Sequence, residues 1–276
     1  MGLPENRKIK RKQKMVFGKG ADLRIGRRET EQEIGWETPQ KYKNPRWYKG
    51  VFRIAFMGQT ILTKDQEKVL DLVIENSDIS KSFYLTGGTA LAEFYLQHRY
   101  SDDLDFFTSN KDFPQFEVEK FAQIIKEDIG ASDIIYRRLH DRRIFFFKKD
   151  KGELKVEFTY YPFAQIGKGQ DINGLQIDSL EDMSANKLMA LFDRIEPKDF
   201  VDIYFIIEKA NIPLEQILGN TNKKFQFSFE PLTLGSEFAK VRAIKELPRM
   251  REKLSVEELK KFYERLAANL QRNIFE

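Results

Sequence analysis

Asp103 and Asp105, one residue apart in the run S-D-D-L-D-F-F, are the side chains of this 276-residue chain best spaced to do chemistry. Side chains alternate along a strand, so the two carboxylates share a face while Leu104 and Phe106 point the other way. Asp is disfavoured in strands, and two on one face repel unless a cation sits between them. Upstream, Gly87-Gly88 can turn sharply and let a ligand approach the backbone. Thr89 to Tyr95 then favour a helix, whose first N–H groups suit a phosphate. Paired carboxylates beside a phosphate-binding turn are what metal-dependent phosphoryl or nucleotidyl transfer needs. The plain alternative is two solvent-facing acids at the start of a strand. Asp102 falls on the opposite face, as a turn or surface residue.

These residues need a scaffold, and the chain supplies one. Phe83 to Leu85 are β-prone. Thr63 and Gln66 fit a capping box opening a helix from Lys64 to about Asn76, with Val69, Leu70, Leu72 and Val73 towards the core. Pro114 to Ile129 is a second amphipathic helix, ending at Gly130. Ile134–Leu139, Ile144–Lys148 and Leu154–Tyr160 read as three strands, separated by Asp141-Arg142 and by the turn Asp150-Lys151-Gly152. In the last strand Leu154, Val156, Phe158 and Tyr160 form the apolar face, and Lys155, Glu157 and Thr159 the polar one. From Ser179 the pattern is helical: Ser179 with Asp182 starts a helix to about Arg194, Pro197 suits the first position of the next, and Ser255 with Glu258 caps a final helix to about Arg272. Strands therefore dominate up to about residue 161 and helices thereafter, an α/β half followed by a helical half. The domain reading is an irregular extension over 1–50, an α/β domain over 51–165 and a helical domain over 166–276.

Several later side chains have two readings on their spacing alone. Glu157 is either a third carboxylate or a cross-strand partner for a Lys or Arg. Lys187 and Arg194 lie two turns apart on nearly one helical face, as a cationic pair for an anion or as solvated charges. Asp199, two residues after Pro197, can simply offset the helix dipole.

Composition narrows the chemistry. With no Cys, a disulfide framework and a thiolate metal site are excluded, and with only two His, His98 and His140, so is a multi-histidine zinc site. A catalytic metal would take oxygen ligands, which points to Mg²⁺ or Mn²⁺. No run of about 18 apolar residues suggests a membrane span, and the basic N-terminus lacks a secretory apolar core, so a cytoplasmic protein is expected. The net charge of +4 is uneven: residues 1–50 hold 14 Lys/Arg against 6 Asp/Glu, a net +8, which leaves −4 over the other 226 residues. The basic segment reads as a solvated tail or as a polyanion-binding arm, with short ordered pieces expected around Trp36 and Trp47.

Three segments recur together in one known family: Gly87-Gly88-Thr89; His98, Arg99, Ser101, Asp103 and Asp105; and Lys187, Ala190, Arg194, Lys198, Asp199 and Asp202. From about Leu62 to Ile207 the chain resembles the AbiEii/AbiGii toxin family of bacterial abortive-infection and toxin–antitoxin systems, within the polymerase-β-like nucleotidyltransferase superfamily. The resemblance implies a mixed α/β nucleotidyltransferase domain followed by a helical domain, moving a nucleoside monophosphate from an NTP to an acceptor hydroxyl. It implies that Asp103, Asp105 and Glu157 hold two Mg²⁺ (or Mn²⁺) ions, with Glu157 taking the proton of the attacking hydroxyl, although family members often carry Asp at that position. It gives Gly87, Gly88 and Thr89 to the β- and γ-phosphates and Lys187 with Arg194 to the triphosphate and departing pyrophosphate, while Ser101, on the strand face of Asp103, reads either as a contact to a phosphate or a metal-bound water or as a simple β-bridge or cap. Asp199 becomes an active-site acid, and Asp202 an anchor for the helix pair. His98 and Arg99 position the D-x-D strand. A tRNA acceptor, a cognate antitoxin and a role in phage defence also follow from the resemblance. A small-molecule nucleotidyltransferase of the antibiotic-modifying kind, and a non-catalytic nucleotide- or RNA-binding protein, would share the same fold.

Overall fold

A computed structural model of the chain describes residues 60–275, with side chains to residue 270; the basic segment 1–50, with Trp36 and Trp47, lies outside the described residues. The first helix, α1 (Lys64–Glu75), begins at the expected capping box: Thr63 Oγ1 accepts from the Gln66 amide and Gln66 Oε1 accepts from the Thr63 amide. Gln66 is buried, and its Nε2 also donates to the carbonyl of Ser101 at 2.9 Å, so the cap holds the segment leading into the paired aspartates. A short helix, α2 (Ser77–Ser82), leads into β1 (Tyr84–Thr86). There the chain turns at Gly87 into α3 (Gly87–Leu91), which continues through one π-helical turn over Ala92–Leu96. The helix thus starts earlier than expected and ends one residue later.

The aspartates lie on β2 (Asp103–Thr108), whose burial alternates: Leu104, Phe106 and Thr108 are buried, and the intervening residues only half-buried. Next come α4 (Gln115–Ile129), closed by Gly130 in a left-handed conformation, and three strands, β3 (Asp133–Leu139), β4 (Arg142–Lys149) and β5 (Gly152–Tyr160). A hairpin of two three-residue strands, β6 (Gln170–Ile172) and β7 (Leu175–Ile177), completes a mixed sheet of order β3-β4-β5-β2-β1-β7-β6. Strand structure therefore extends beyond residue 161, where only helices are expected. Three-residue strands are too short to show a period-2 pattern, and β7 is fixed by its parallel pairing with β1.

One sheet face packs a phenyl-rich core under α1 and α4. Phe106 and Phe158, paired in register on β2 and β5, stack with centroids 5.2 Å apart, and Phe83 and Phe121 meet Phe158 edge-on. Each such buried ring contributes roughly 1.5–3 kcal/mol. Five helices follow the sheet: α5 (Leu180–Asp193), α6 (Pro197–Glu208), α7 (Leu214–Phe225), α8 (Pro231–Ala239) and α9 (Val256–Phe275). The core runs without interruption from Leu62 to Tyr263, and the Tyr263 hydroxyl donates to the Phe200 carbonyl. No helix among the described residues is long and apolar enough to cross a membrane. The mixed α/β architecture with a helical second half is the one expected.

Candidate active site

The sheet face opposite the phenyl core carries the candidate chemistry. Strands β2 and β5 run parallel with Asp103 opposite Lys155 and Asp105 opposite Glu157, so all four side chains emerge on one face. On the other side Thr86 of β1 is opposite Asp105, which brings the diglycine turn over the acids. Gly87 has φ +75°, and a Cβ there would lie 2.5 Å from Asp105 Oδ2; at Gly88 it would lie 2.6 Å from Arg99 Nη2 and 3.0 Å from Ser101 Oγ. Both glycines are needed for this close approach. Thr89 is buried, and its hydroxyl donates to the Asp103 carbonyl, fixing the start of β2 and leaving its side chain turned inward.

The three carboxylates converge on a cation of the chain itself. Lys155 Nζ lies 3.2 Å from Asp103, 3.8 Å from Asp105 and 3.4 Å from Glu157. Glu157 is further held by Arg142 of β4, whose Nε and Nη2 donate to its two oxygens at 2.5 and 2.6 Å, and by the Thr159 hydroxyl at 2.7 Å. Burial works to raise the Glu157 carboxyl, but Arg142, Thr159 and Lys155 outweigh it and hold the group below the usual range. Asp105 is shifted up: burial dominates, Glu157 and Asp103 add repulsion, and Lys155 compensates only in part.

A second ionic network lies beside the first. Asp202 accepts from His98 Nε2 at 2.8 Å and from Arg99 Nε and Nη2 at 2.6 and 2.8 Å, and lies 2.7 Å from Lys187 Nζ. Asp199 accepts from Lys187 at 2.8 Å and from Arg194 Nε at 2.8 Å. Burial opposes ionisation of Asp202, yet Arg99, Lys187 and His98 hold it well below the usual range; Lys187 and Arg194 do the same, less strongly, for Asp199. Arg194 caps α5 in extended conformation and so does not continue the helical face of Lys187; the two cations meet through Asp199 instead. Lys187 also feels the charge of Asp105, which links the networks electrostatically. Through His98 and Arg99 on Asp202 the helical half thereby grips the segment that precedes the D-x-D strand, and Asp202 also ties α6 to α5 through Lys187.

Asp103, Asp105, Glu157, Lys187, Arg194 and Asp199 thus fall in these two clusters, Gly87, Gly88 and Thr89 in the turn and helix start between them, and Ser101 beside Gly88. Lys155 and Arg142 were not singled out by sequence. Lys155 carries a signal, its alternation with Glu157 on one strand face. Arg142 carries none, because its reach to Glu157 depends on the β4–β5 register. A cleft of ≈ 540 Å³ at the far end of β1, lined by Lys81, Tyr84, Ser109, Gln165 and Lys168 among others, contains no expected site residue.

The profile of the family described as nucleotidyl transferase AbiEii toxin, type IV toxin–antitoxin system, matches residues 68–273. The chain belongs to this family. It is therefore a nucleotidyltransferase by membership. An uncharacterized protein of Aquifex aeolicus is 29% identical over 165 residues, 60% of this chain and 76% of that one. Among solved structures, JHP933 from Helicobacter pylori is 21% identical with a TM-score of 0.47, covering 78% of this chain and 97% of that one. The Megavirus polyadenylate synthase is 17% identical with a TM-score of 0.39, covering 58% and 34%.

Nucleotidyltransfer raises the question of a divalent metal. Among the described residues no group of three or more His, Asp or Glu side chains is arranged to hold one. Asp103 and Asp105 nevertheless fit such an ion: both offer hard carboxylate oxygens, both remain partly exposed, and both already share a positive charge, the Lys155 ammonium. Glu157, with both oxygens on Arg142, is committed elsewhere.

Proposed function

We propose that this AbiEii-family nucleotidyltransferase moves a nucleoside monophosphate from an NTP to an acceptor hydroxyl at the face built by Asp103 and Asp105, releasing pyrophosphate. The observation that carries the reading is the stacking of the Gly87 turn directly on the Asp105 carboxylate, which puts a diglycine helix start beside paired acids. Mg²⁺ or Mn²⁺ held by Asp103 and Asp105 would bind the triphosphate and favour ionisation of the acceptor hydroxyl. Gly87 and Gly88 let the phosphates approach the backbone, with Ser101 beside them. Arg194, half-exposed at the edge of the second network, offers a cation to the triphosphate, while Lys187 and Asp199 hold that edge in place. Glu157, once released from Arg142, is the base within reach of the same face.

The acceptor we favour is tRNA. On the β3–β4 hairpin Arg137 and Arg142 share the face of the acids, and Arg142 reaches the site itself, so a short basic strip abuts the acids. Such a strip suits a phosphate backbone better than a cationic antibiotic. The family's type IV toxin–antitoxin description supports a toxin with a cognate antitoxin, and we place its action in the cytoplasm, in phage defence, as part of the same proposal. Incubation with each NTP labelled at the α-phosphate, against bulk tRNA and against small acceptors, tests the reading. Label should pass to tRNA, and transfer to aminoglycosides alone, or to nothing, would overturn it.

A further inference from the structure

Lys155 stands where a metal would be expected, and nothing in the reading above gives it a role. Three carboxylates on one sheet face repel one another, and one ammonium group, mostly buried, lies 3.2–3.8 Å from all of them. These distances suit a loosely held ammonium. Mg²⁺ demands oxygens at about 2.0–2.1 Å in near-octahedral array, so an ion bound by the same carboxylates would sit within a few ångströms of Nζ. Like charges that close cannot both remain. Lys155 has the means to leave: its stem is four flexible carbons, and among the described residues its ammonium pairs with the three acids alone. Arg142 does not share that freedom, being fixed on both oxygens of Glu157.

We infer that Lys155 is a built-in competitor for the divalent cation: its ammonium neutralises the acidic face when no metal is bound and must swing away when one arrives. The inference rests on Asp103 and Asp105 being the metal-binding acids. It has a consequence for substrate order. A free ion displaces Lys155 at full electrostatic cost, whereas an ion carried by a triphosphate brings an anion with which the displaced ammonium can pair. Lys155 therefore biases the site against the free ion and towards the metal–nucleotide complex. It is a positioning residue, acting through the metal.

The test is a Mn²⁺ titration of the chelator-treated full chain, followed by electron paramagnetic resonance of the free ion. Lys155→Met, which keeps the stem and removes the charge, should bind free Mn²⁺ at least about tenfold more tightly than wild type, and bind the complex of Mn²⁺ with a non-hydrolysable NTP more weakly. Lys155→Arg, which keeps the charge, should show no gain for the free ion. Equal Mn²⁺ affinity of wild type and Lys155→Met overturns the proposal, as does weaker nucleotide binding without the gain. Asp103→Asn separates the two layers: if it binds Mn²⁺ as wild type does, the assignment of the metal acids fails, whatever Lys155 does. Should Lys155→Met not fold, acetylation of Lys155 in wild type, mapped by mass spectrometry, decides. Labelling that rises on saturation with Mn²⁺ supports displacement, and unchanged labelling contradicts it.

Discussion

Asp105 and Glu157 lie directly opposite each other on adjacent parallel strands, yet only Asp105 faces the glycine turn without a clamp of its own, because Arg142 takes both oxygens of Glu157. One acid is thus presented and its neighbour restrained. The difference comes from β4, the strand next to β5 on the side away from β2, and it orders the roles proposed for the site.

Gly87→Ala should separate the site from the scaffold. Its φ of +75° and the 2.5 Å approach to Asp105 mean that an added methyl group strains the backbone and pushes the carboxylate aside. Gly130→Ala is the control, with φ +66° and nothing within 4 Å. Both variants should lose about 1–3 kcal/mol in urea unfolding, and only Gly87→Ala should lose most of its nucleotide transfer. Equal transfer by the two would remove the turn from the site.

Asp202→Asn should be among the most damaging changes to stability. It leaves Arg99, Lys187 and His98 around a neutral amide in a fully buried position, which typically costs about 3–5 kcal/mol. Because the carboxyl is held well below its ordinary value, its contribution is present above the unfolded-state value and is lost as pH falls through the folded one. The gap between variant and wild type in thermal melts should therefore persist at neutral pH and close only in strong acid.

What was readable in the sequence was local. The boxes Thr63/Gln66 and Ser255/Glu258 each satisfy their own helix start within four residues, and both occur as read. The D-x-D alternation likewise needs only one strand. Arg142 depended on which residues face each other across β4 and β5, a register that no local pattern encodes, and Lys155, though its alternation with Glu157 is local, meets the two aspartates only through the β2–β5 register. The same holds for Asp199: its first-turn position suggested only a dipole role, while its grip on Lys187 and Arg194 needs the packing of α5 against α6.

Asp178 gives a pH dependence of opposite sign. It is fully buried, accepting from the Thr86 hydroxyl at 2.7 Å and from Gln165 at 2.9 Å, and burial with the nearby Asp182 raises it to about 6 from 3.8. A raised carboxyl stabilises most below its unfolded value, and that contribution, roughly 3 kcal/mol at most, is lost as pH rises through the folded value. Asp178→Asn can keep these contacts, with the Thr86 hydroxyl turned to accept. It should gain stability relative to wild type between about pH 4 and 6 and hold the gain above. A constant difference across that window would show that Asp178 titrates normally.

The central claim, that Asp103 is a working acid of a nucleotidyltransferase site, is tested most directly by comparing Asp103→Asn with Asp102→Asn in transfer of α-labelled NTP to the acceptor. Asp102 differs by one position and lies exposed, its one ion pair among the described residues being with the exposed Arg249 at 2.6 Å, so its loss should cost little. Asn at 103 keeps the size but removes the charge that would hold a metal, and a drop of at least about a thousandfold is expected with the fold intact. Wild-type activity in both variants would contradict the account.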